Sequence, residues 1–198
     1  MPKGFSDQEK EHIHTQLLEK GQILFGTFGL KKTSVENITN AVGISKGAFY
    51  IFYQSKEELF LDILEQFEAD FQQSILREVT QQNVHPKQRF RQMLQKALEL
   101  RKTNRFFSHF GQEEYEALVR KLPQEKTQQM LQNDEVFADK LISAWKEEGI
   151  TINSEPKLFA NIVRALFFIN FHETDFDPDV FPDMIDWFLD ITLDRLMS

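Results

Sequence analysis

Residues 33–60 read Thr33-Ser34-Val35-Glu36-Asn37-Ile38-Thr39-Asn40-Ala41-Val42-Gly43-Ile44-Ser45-Lys46-Gly47-Ala48-Phe49-Tyr50-Ile51-Phe52-Tyr53-Gln54-Ser55-Lys56-Glu57-Glu58-Leu59-Phe60. Thr33 and Glu36 have the spacing of a capping box, in which a hydroxyl and a carboxylate satisfy each other's helix-terminal N–H groups. Val35, Ile38 and Val42 then recur at i, i+3 and i+7 as one apolar face. Gly43 ends that short helix, because glycine adopts a left-handed conformation without steric cost. Ser45 is the next N-cap, for a helix from Lys46 to about Tyr53. Ser55 with Glu58 is a further capping box, and it opens a long helix.

Working outward, the same grammar repeats. Ser6 with Glu9 caps a first helix on which Ile13, Leu17, Leu18, Leu24, Phe25 and Phe28 form the apolar face, closed by Gly29. The helix opened by Ser55 carries Phe60, Ile63, Leu64, Phe67, Phe71 and Ile75 and runs to Val79. Residues 83–86 read as a linker, with Pro86 at the first position of a fifth helix. Asn104-Arg105 interrupts, and an aromatic segment with Phe106, Phe107, Phe110 and Tyr115 follows. Pro123 is expected to start a seventh helix, stopped by Gly149. An eighth runs from about Pro156 to Phe171 and a ninth from about Val180 to Leu196. The Ile150-Thr151-Ile152 triplet is too short for a strand, and no repeat is visible. The fold class expected is all-α, with about nine helices.

Composition narrows the chemistry. The chain has 198 residues, 41% hydrophobic and 27% charged, which suits a globular protein with a substantial core. There is no cysteine, so disulfides, cysteine nucleophiles and thiolate metal sites are excluded. The start, Met1-Pro2-Lys3-Gly4-Phe5, lacks the apolar core of a signal peptide, and the longest apolar run, Ala165 to Ile169, is too short for a membrane span. A cytoplasmic location without membrane contact is the expectation. Net charge is −8, all of it beyond residue 60, since residues 1–60 hold seven lysines, no arginine and seven acids. A surface facing nucleic acid therefore belongs in the first 60 residues.

Two short capped helices joined by Gly43-Ile44-Ser45 have the helix-turn-helix form, whose second helix fits the major groove. The string Ile44-Ser45-Lys46-Gly47-Ala48-Phe49-Tyr50, followed by Ser55-Lys56-Glu57-Glu58-Leu59, resembles the TetR family of bacterial repressors, whose usual pattern is close to S-K-G-T-L-Y-x-Y-F-x-S-K-E-E-L. Phe28-Gly29-Leu30 and Thr33-Ser34-Val35-Glu36-Asn37-Ile38 match the upstream part of that pattern. The resemblance covers residues 10–65. Ile51-Phe52-Tyr53 departs from it: the last two aromatics are swapped and Ile51 stands at a usually polar position.

The resemblance implies a DNA-binding domain over 6–53, with its motif at 33–53, and an effector-binding and dimerisation domain over 54–198. The DNA-contacting residues expected are Thr33, Ser34, Ser45, Lys46, Gly47, Ala48, Tyr50, Phe52 and Lys56. Lys46 can reach a guanine edge or a phosphate, and Gly47 lets the backbone approach. Ala48 can pack on a thymine methyl. Tyr50 and Lys56 resemble the family's phosphate contacts, Thr33 and Ser34 sit at a helix N-terminus suited to a phosphate, and Ser45 combines cap and base contact. The partners implied are double-stranded operator DNA, a small hydrophobic ligand and a second copy of the chain.

Beyond residue 60 the fourteen of twenty phenylalanines suggest an apolar cavity. Its candidate walls are Phe67, Phe71, Phe106, Phe107, Phe110, Met130, Phe137, Trp145 and Phe167. Arg164 interrupts an apolar helix and is either a ligand partner or one side of a salt bridge. Ile162, Leu166, Ile185, Phe188 and Leu189 on the last two helices are the dimer-interface candidates. Asp183, Asp186, Asp190 and Asp194 recur as a stripe read as a solvated face. The Asp175, Asp177, Asp179 run lacks the glycine and distal glutamate of a calcium loop, and Glu9-x-x-His12 lacks the second copy a di-iron site needs. No cofactor, metal or enzymatic activity is expected. The function implied is a homodimeric, ligand-responsive repressor. A helical protein–protein adaptor that keeps the fold without DNA binding is the alternative, supported by the missing arginines.

Overall fold

The computed structural model describes residues 5–79 and 85–197. Met1–Gly4, on which the reading of the chain's start rests in part, and Asn83 and Val84 of the expected linker lie outside the described residues. Among the described residues the regular elements are nine α-helices: α1 (Asp7–Lys32), α2 (Val35–Val42), α3 (Lys46–Phe52), α4 (Lys56–Val79), α5 (Pro86–Thr103), α6 (Gln112–Lys121), α7 (Gln124–Glu147), α8 (Pro156–Phe171) and α9 (Phe181–Leu196). Short 3-10 turns stand at Arg105–His109 and Glu173–Asp175.

The caps explain where the helices begin. Ser6 and Glu9 form the expected box at α1: the Ser6 N–H donates to Glu9 Oε2 at 2.8 Å and the Glu9 N–H to Ser6 Oγ at 3.3 Å. Gly29, at φ +77°, breaks the helical path three residues before α1 ends. The expected Thr33–Glu36 box is displaced by one residue. The Thr33 hydroxyl is already bonded to the Gly29 carbonyl at 2.8 Å, so Thr33 closes α1 instead of opening α2. Ser34 caps α2 with Asn37, whose amide oxygen accepts from the Ser34 N–H at 2.9 Å. Gly43 is left-handed at φ +79°, and Ser45 Oγ accepts the Ala48 N–H at 3.1 Å, as the sequence indicates. At α4 the box is half formed: Ser55 Oγ accepts the Glu58 N–H, but the Glu58 carboxylate turns to the Gln54 N–H. Pro86 and Pro156 open α5 and α8, whereas Pro123 is the N-cap of α7 rather than its first residue.

The chain forms two compact units that do not follow chain order. The first is the chain up to Glu68 with Arg101–Leu122; the second is Ala69–Leu100 with everything from Pro123 onward. The first unit therefore takes in more than residues 6–53.

In the first unit Leu17, Phe25, Ile38, Phe49, Leu59 and Phe60 are fully buried. Phe60 stacks on Phe106 at 4.7 Å and meets Phe25 edge-on at 5.1 Å. Two glycines allow this closeness. A Cβ on Gly21 would lie 3.0 Å from a Leu59 methyl, and one on Gly26 would lie 2.9 Å from the Arg105 carbonyl oxygen. Phe28, expected on the apolar face, is exposed.

In the second unit Trp145 has no accessible surface; it meets Phe90 edge-on at 4.9 Å. Among the described residues its buried Nε1 has no hydrogen-bond partner. Leu141, Leu166, Ile185, Leu189 and Leu193 complete that core. The aspartate stripe of α9 is only partly the solvated face expected. Arg91 of α5 lies 2.9 Å from Asp190 and donates to the Asp186 carbonyl, and Lys87 pairs with Asp194 at 2.9 Å. Lys87, Arg91 and Gln95 lie one helical turn apart on α5, which matches the spacing of the aspartates they meet.

Candidate nucleic-acid interface

The interface candidate is built by α2, the Gly43-Ile44-Ser45 turn and α3. At about 100° per residue, Ala48, Phe49 and Phe52 fall on one arc of α3 and Lys46, Tyr50, Gly47 and Ile51 on the opposite one. Burial follows this division: Ala48 and Phe49 are buried and Phe52 half-buried, while Lys46, Gly47, Tyr50 and Ile51 are exposed. Among the described residues Lys46 has no hydrogen-bond or ion-pair partner, so its ammonium is available to an external anion or acceptor. Gly47 is not required by packing. A Cβ there would meet only Ser45 Oγ, at 3.8 Å.

Of the nine expected contacts, Ser34, Ser45, Lys46, Gly47 and Tyr50 are exposed. The other four are buried or half-buried. Ala48 is 7% exposed and packs inward, so it cannot meet a thymine methyl. Thr33 is 1% exposed, and its hydroxyl serves the Gly29 carbonyl. Lys56 Nζ donates to the carbonyl oxygens of Leu30 at 2.6 Å, Lys31 at 3.2 Å and Thr33 at 2.6 Å. An ammonium has three donors, so this one has none left for a phosphate. Burial pushes the Lys56 amine below its usual range, the adjacent Glu57 opposing that shift. Phe52, half-buried, backs the surface without forming it.

One polar cluster escaped the sequence reading. The Tyr53 hydroxyl, just past α3, donates to Asp62 Oδ2 of α4 at 2.6 Å and lies 2.8 Å from His14 Nε2 of α1. The His14 ring stacks on Tyr53 at 5.8 Å. Burial and then the Asp62 hydrogen bond push the Tyr53 phenol well above its usual range. The available signal was a histidine next to Ile13 on a helix face otherwise read as apolar.

The model for bacterial regulatory proteins of the tetR family matches residues 17–63, which span this surface. Over 77 residues the chain is 32% identical to the HTH-type transcriptional repressor DhaR of Mycobacterium sp. (strain GP1), a stretch covering 39% of each protein. This part of the chain is similar to the TetR family. Its match thus spans well under half the length of that curated relative. Solved TetR-type structures share its fold along nearly the whole length. One, a TetR-family regulator from Pectobacterium atrosepticum, covers 98% of both chains at a TM-score of 0.68 and 16% identity. Another is SmeT, the repressor of the Stenotrophomonas maltophilia multidrug efflux pump SmeDEF, which covers 93% of this chain and 90% of its own at a TM-score of 0.63 and 19% identity.

The expected effector residues divide between the two units. Phe67, Phe106, Phe107 and Phe110 belong to the first unit, where Phe106 and Phe110 are buried against Phe60. Phe71, Met130, Phe137, Trp145, Arg164 and Phe167 belong to the second. Arg164 is answered there by Asp134 of α7 and Asn161 of α8, so it is a salt-bridge residue. A cleft of about 340 Å³ in the first unit is lined by Glu19, Gln22, Ile23, Gly26, Thr27, Asn104, Arg105 and Phe106; only Phe106 was foreseen as a wall.

The interface candidates also divide. Leu166, Ile185 and Leu189 are buried within their own unit, because α8 and α9 spend that face on the core. Phe188 is exposed and Ile162 half-buried. The apolar side chains left exposed are Leu158 and Phe168 on α8 and Trp187, Phe188 and Ile191 on α9. No helix among the described residues is long and apolar enough to cross a membrane.

Proposed function

We propose that this TetR-type regulator is a homodimeric repressor that holds a palindromic operator through α3 and is released by a largely apolar small molecule. The observation that carries the DNA reading is the exposed arc of α3, where an unpartnered Lys46 and a bare Gly47 stand beside Tyr50. Such a face offers a cation to the phosphates or a guanine edge, and a close backbone approach.

The dimer surface favoured is the apolar stripe of α8 and α9. Leu158, Ile162, Ala165 and Phe168 recur at helical spacing on one helix, and Met184, Trp187, Phe188 and Ile191 on the other. Trp187 is 63% exposed, and large apolar patches of this kind mark association surfaces. Two recognition helices about 34–36 Å apart would then meet successive major grooves. A ligand that prefers one separation of those helices shifts the population toward or away from it.

An apolar effector is favoured by the phenylalanines beyond residue 60, fourteen of the chain's twenty. SmeT, with the same fold, has been solved in complex with triclosan.

The test is titration of the purified protein with a duplex selected from a random pool. Specific, salt-dependent binding to a palindrome, weakened by Lys46→Ala, is the expected result; about 0.9 units of log–log salt slope are expected per phosphate neutralised. Enrichment of no duplex would overturn the reading and leave the adaptor. Triclosan, a fatty-acyl compound and a sugar in a thermal-shift series separate the ligand classes, and stabilisation by the sugar alone would overturn the apolar effector.

A further inference from the structure

We infer that Ile51 reads the C5-methyl group of a thymine in the major groove, an inference that rests on the DNA-binding reading above. Ile51 stands where the TetR pattern is usually polar, and it is 62% exposed on the same arc of α3 as Lys46, Gly47 and Tyr50. A lone exposed isoleucine is ordinary on a protein surface, so exposure alone decides nothing. Three further observations do.

The first is cost without return. A β-branched residue lowers helix propensity in a helix of only seven residues, and at this exposure it contributes little core packing. The free protein gains almost nothing from Ile51. The second is chemical. Base edges in the major groove present nitrogen and oxygen donors and acceptors, and the thymine methyl is the one apolar feature among them. An aliphatic tip on the groove-facing arc has that methyl as its natural partner. The third is elimination. Ala48, the residue first expected in this role, is buried. Gly47 lies one turn before Ile51 and leaves open space where a side chain would be, so α3 can settle deep enough for the Ile51 tip to meet the groove floor.

The experiment removes one methyl at a time. A duplex is selected from a random pool with the full-length protein, and each thymine is then replaced by deoxyuridine, which lacks only the C5-methyl. At one thymine per half-site the replacement should weaken wild-type binding about fourfold, the value of one buried methyl. Ile51→Ala should bind the thymine and deoxyuridine duplexes alike, while Ile51→Val keeps part of the difference. Wild-type affinity that is indifferent to every thymine methyl, or an Ile51→Ala protein that retains the full difference, overturns the inference while leaving DNA binding intact. Failure to select any duplex overturns both.

Discussion

The Lys56 ammonium donates to the carbonyl oxygen of Leu30 across 2.6 Å and so ties the first turn of α4 to the end of α1. Two further carbonyls, of Lys31 and Thr33, complete its shell. These are the terminal carbonyls of a helix, which carry partial negative charge and otherwise face water. Thr33 precedes Ser34, the cap of α2, so one side chain holds together the point where α1, α2 and α4 meet.

Lys56→Met should therefore cost about 1.5–3 kcal/mol of stability, the range for hydrogen bonds that involve a charged group. Its effect on DNA should be indirect. The slope of log affinity against log salt should stay at the wild-type value, whereas a lost phosphate contact would reduce it by about 0.9. Parallel denaturant melts and salt titrations distinguish the two.

Tyr53→Phe tests the cluster with His14 and Asp62. It should destabilise the protein by about 1–3 kcal/mol near neutral pH by removing the hydroxyl donor of the half-buried Asp62 carboxylate, which is then left with His14 Nε2 at 3.3 Å. The pH dependence follows from the direction of the shift. The phenol is held above its usual value of 10.0 in the folded chain, so its contribution is complete below pH 10 and declines as pH rises beyond that, because the unfolded chain ionises first. The stability gap between wild type and Tyr53→Phe should narrow above pH 10; a gap that widens there would refute the assignment.

How much of this was legible in the sequence differs by kind of interaction. The boundaries of α2 and α3 were readable because Gly43 and Ser45 act locally, on their own turn. The shift from Thr33 to Ser34 was not, because it depends on which of two adjacent hydroxyls Gly29 engages. The identity of Lys46 as an exposed cation was legible from its place after the N-cap. The burial of Ala48 depends on how α3 packs within the first unit, which its own turn does not encode. Beyond residue 60, apolar periodicity marked helices but not destinations. Leu166 and Leu189 have the same pattern as interface residues and are instead core, and only the relative placement of α7, α8 and α9 separates those roles.

Two glycines make opposite predictions. Gly47→Ala meets no obstacle in the free protein and should leave stability unchanged or raise it by up to about 1 kcal/mol through helix propensity. It should nonetheless weaken operator binding, because the added methyl faces the groove. Gly26→Ala places a carbon 2.9 Å from the Arg105 carbonyl oxygen, a backbone atom, and should cost about 1–3 kcal/mol of stability. Thermal melts with duplex titrations of both variants check this, and a Gly47→Ala protein with wild-type DNA affinity would remove Gly47 from the interface.

The proposed dimer surface gives the last prediction. Trp187 and Phe168 are exposed on α9 and α8, and Leu189, two residues along, has no accessible surface in its own unit. A charge at an exposed interface position removes association without touching the core, since it stays solvated in the monomer and becomes buried and unpaired in the dimer. Trp187→Glu and Phe168→Glu should each shift sedimentation from dimer to monomer while helix content and melting cooperativity persist. Leu189→Ala should do the reverse, costing about 2–5 kcal/mol of stability through a core cavity while folded molecules still associate. Loss of the dimer should also reduce operator affinity steeply, because two linked half-site contacts become two independent ones. If both glutamate variants sediment as wild-type dimers, the α8–α9 stripe is not the interface, and Ile23 and Phe28 on α1 become the next exposed apolar residues to substitute.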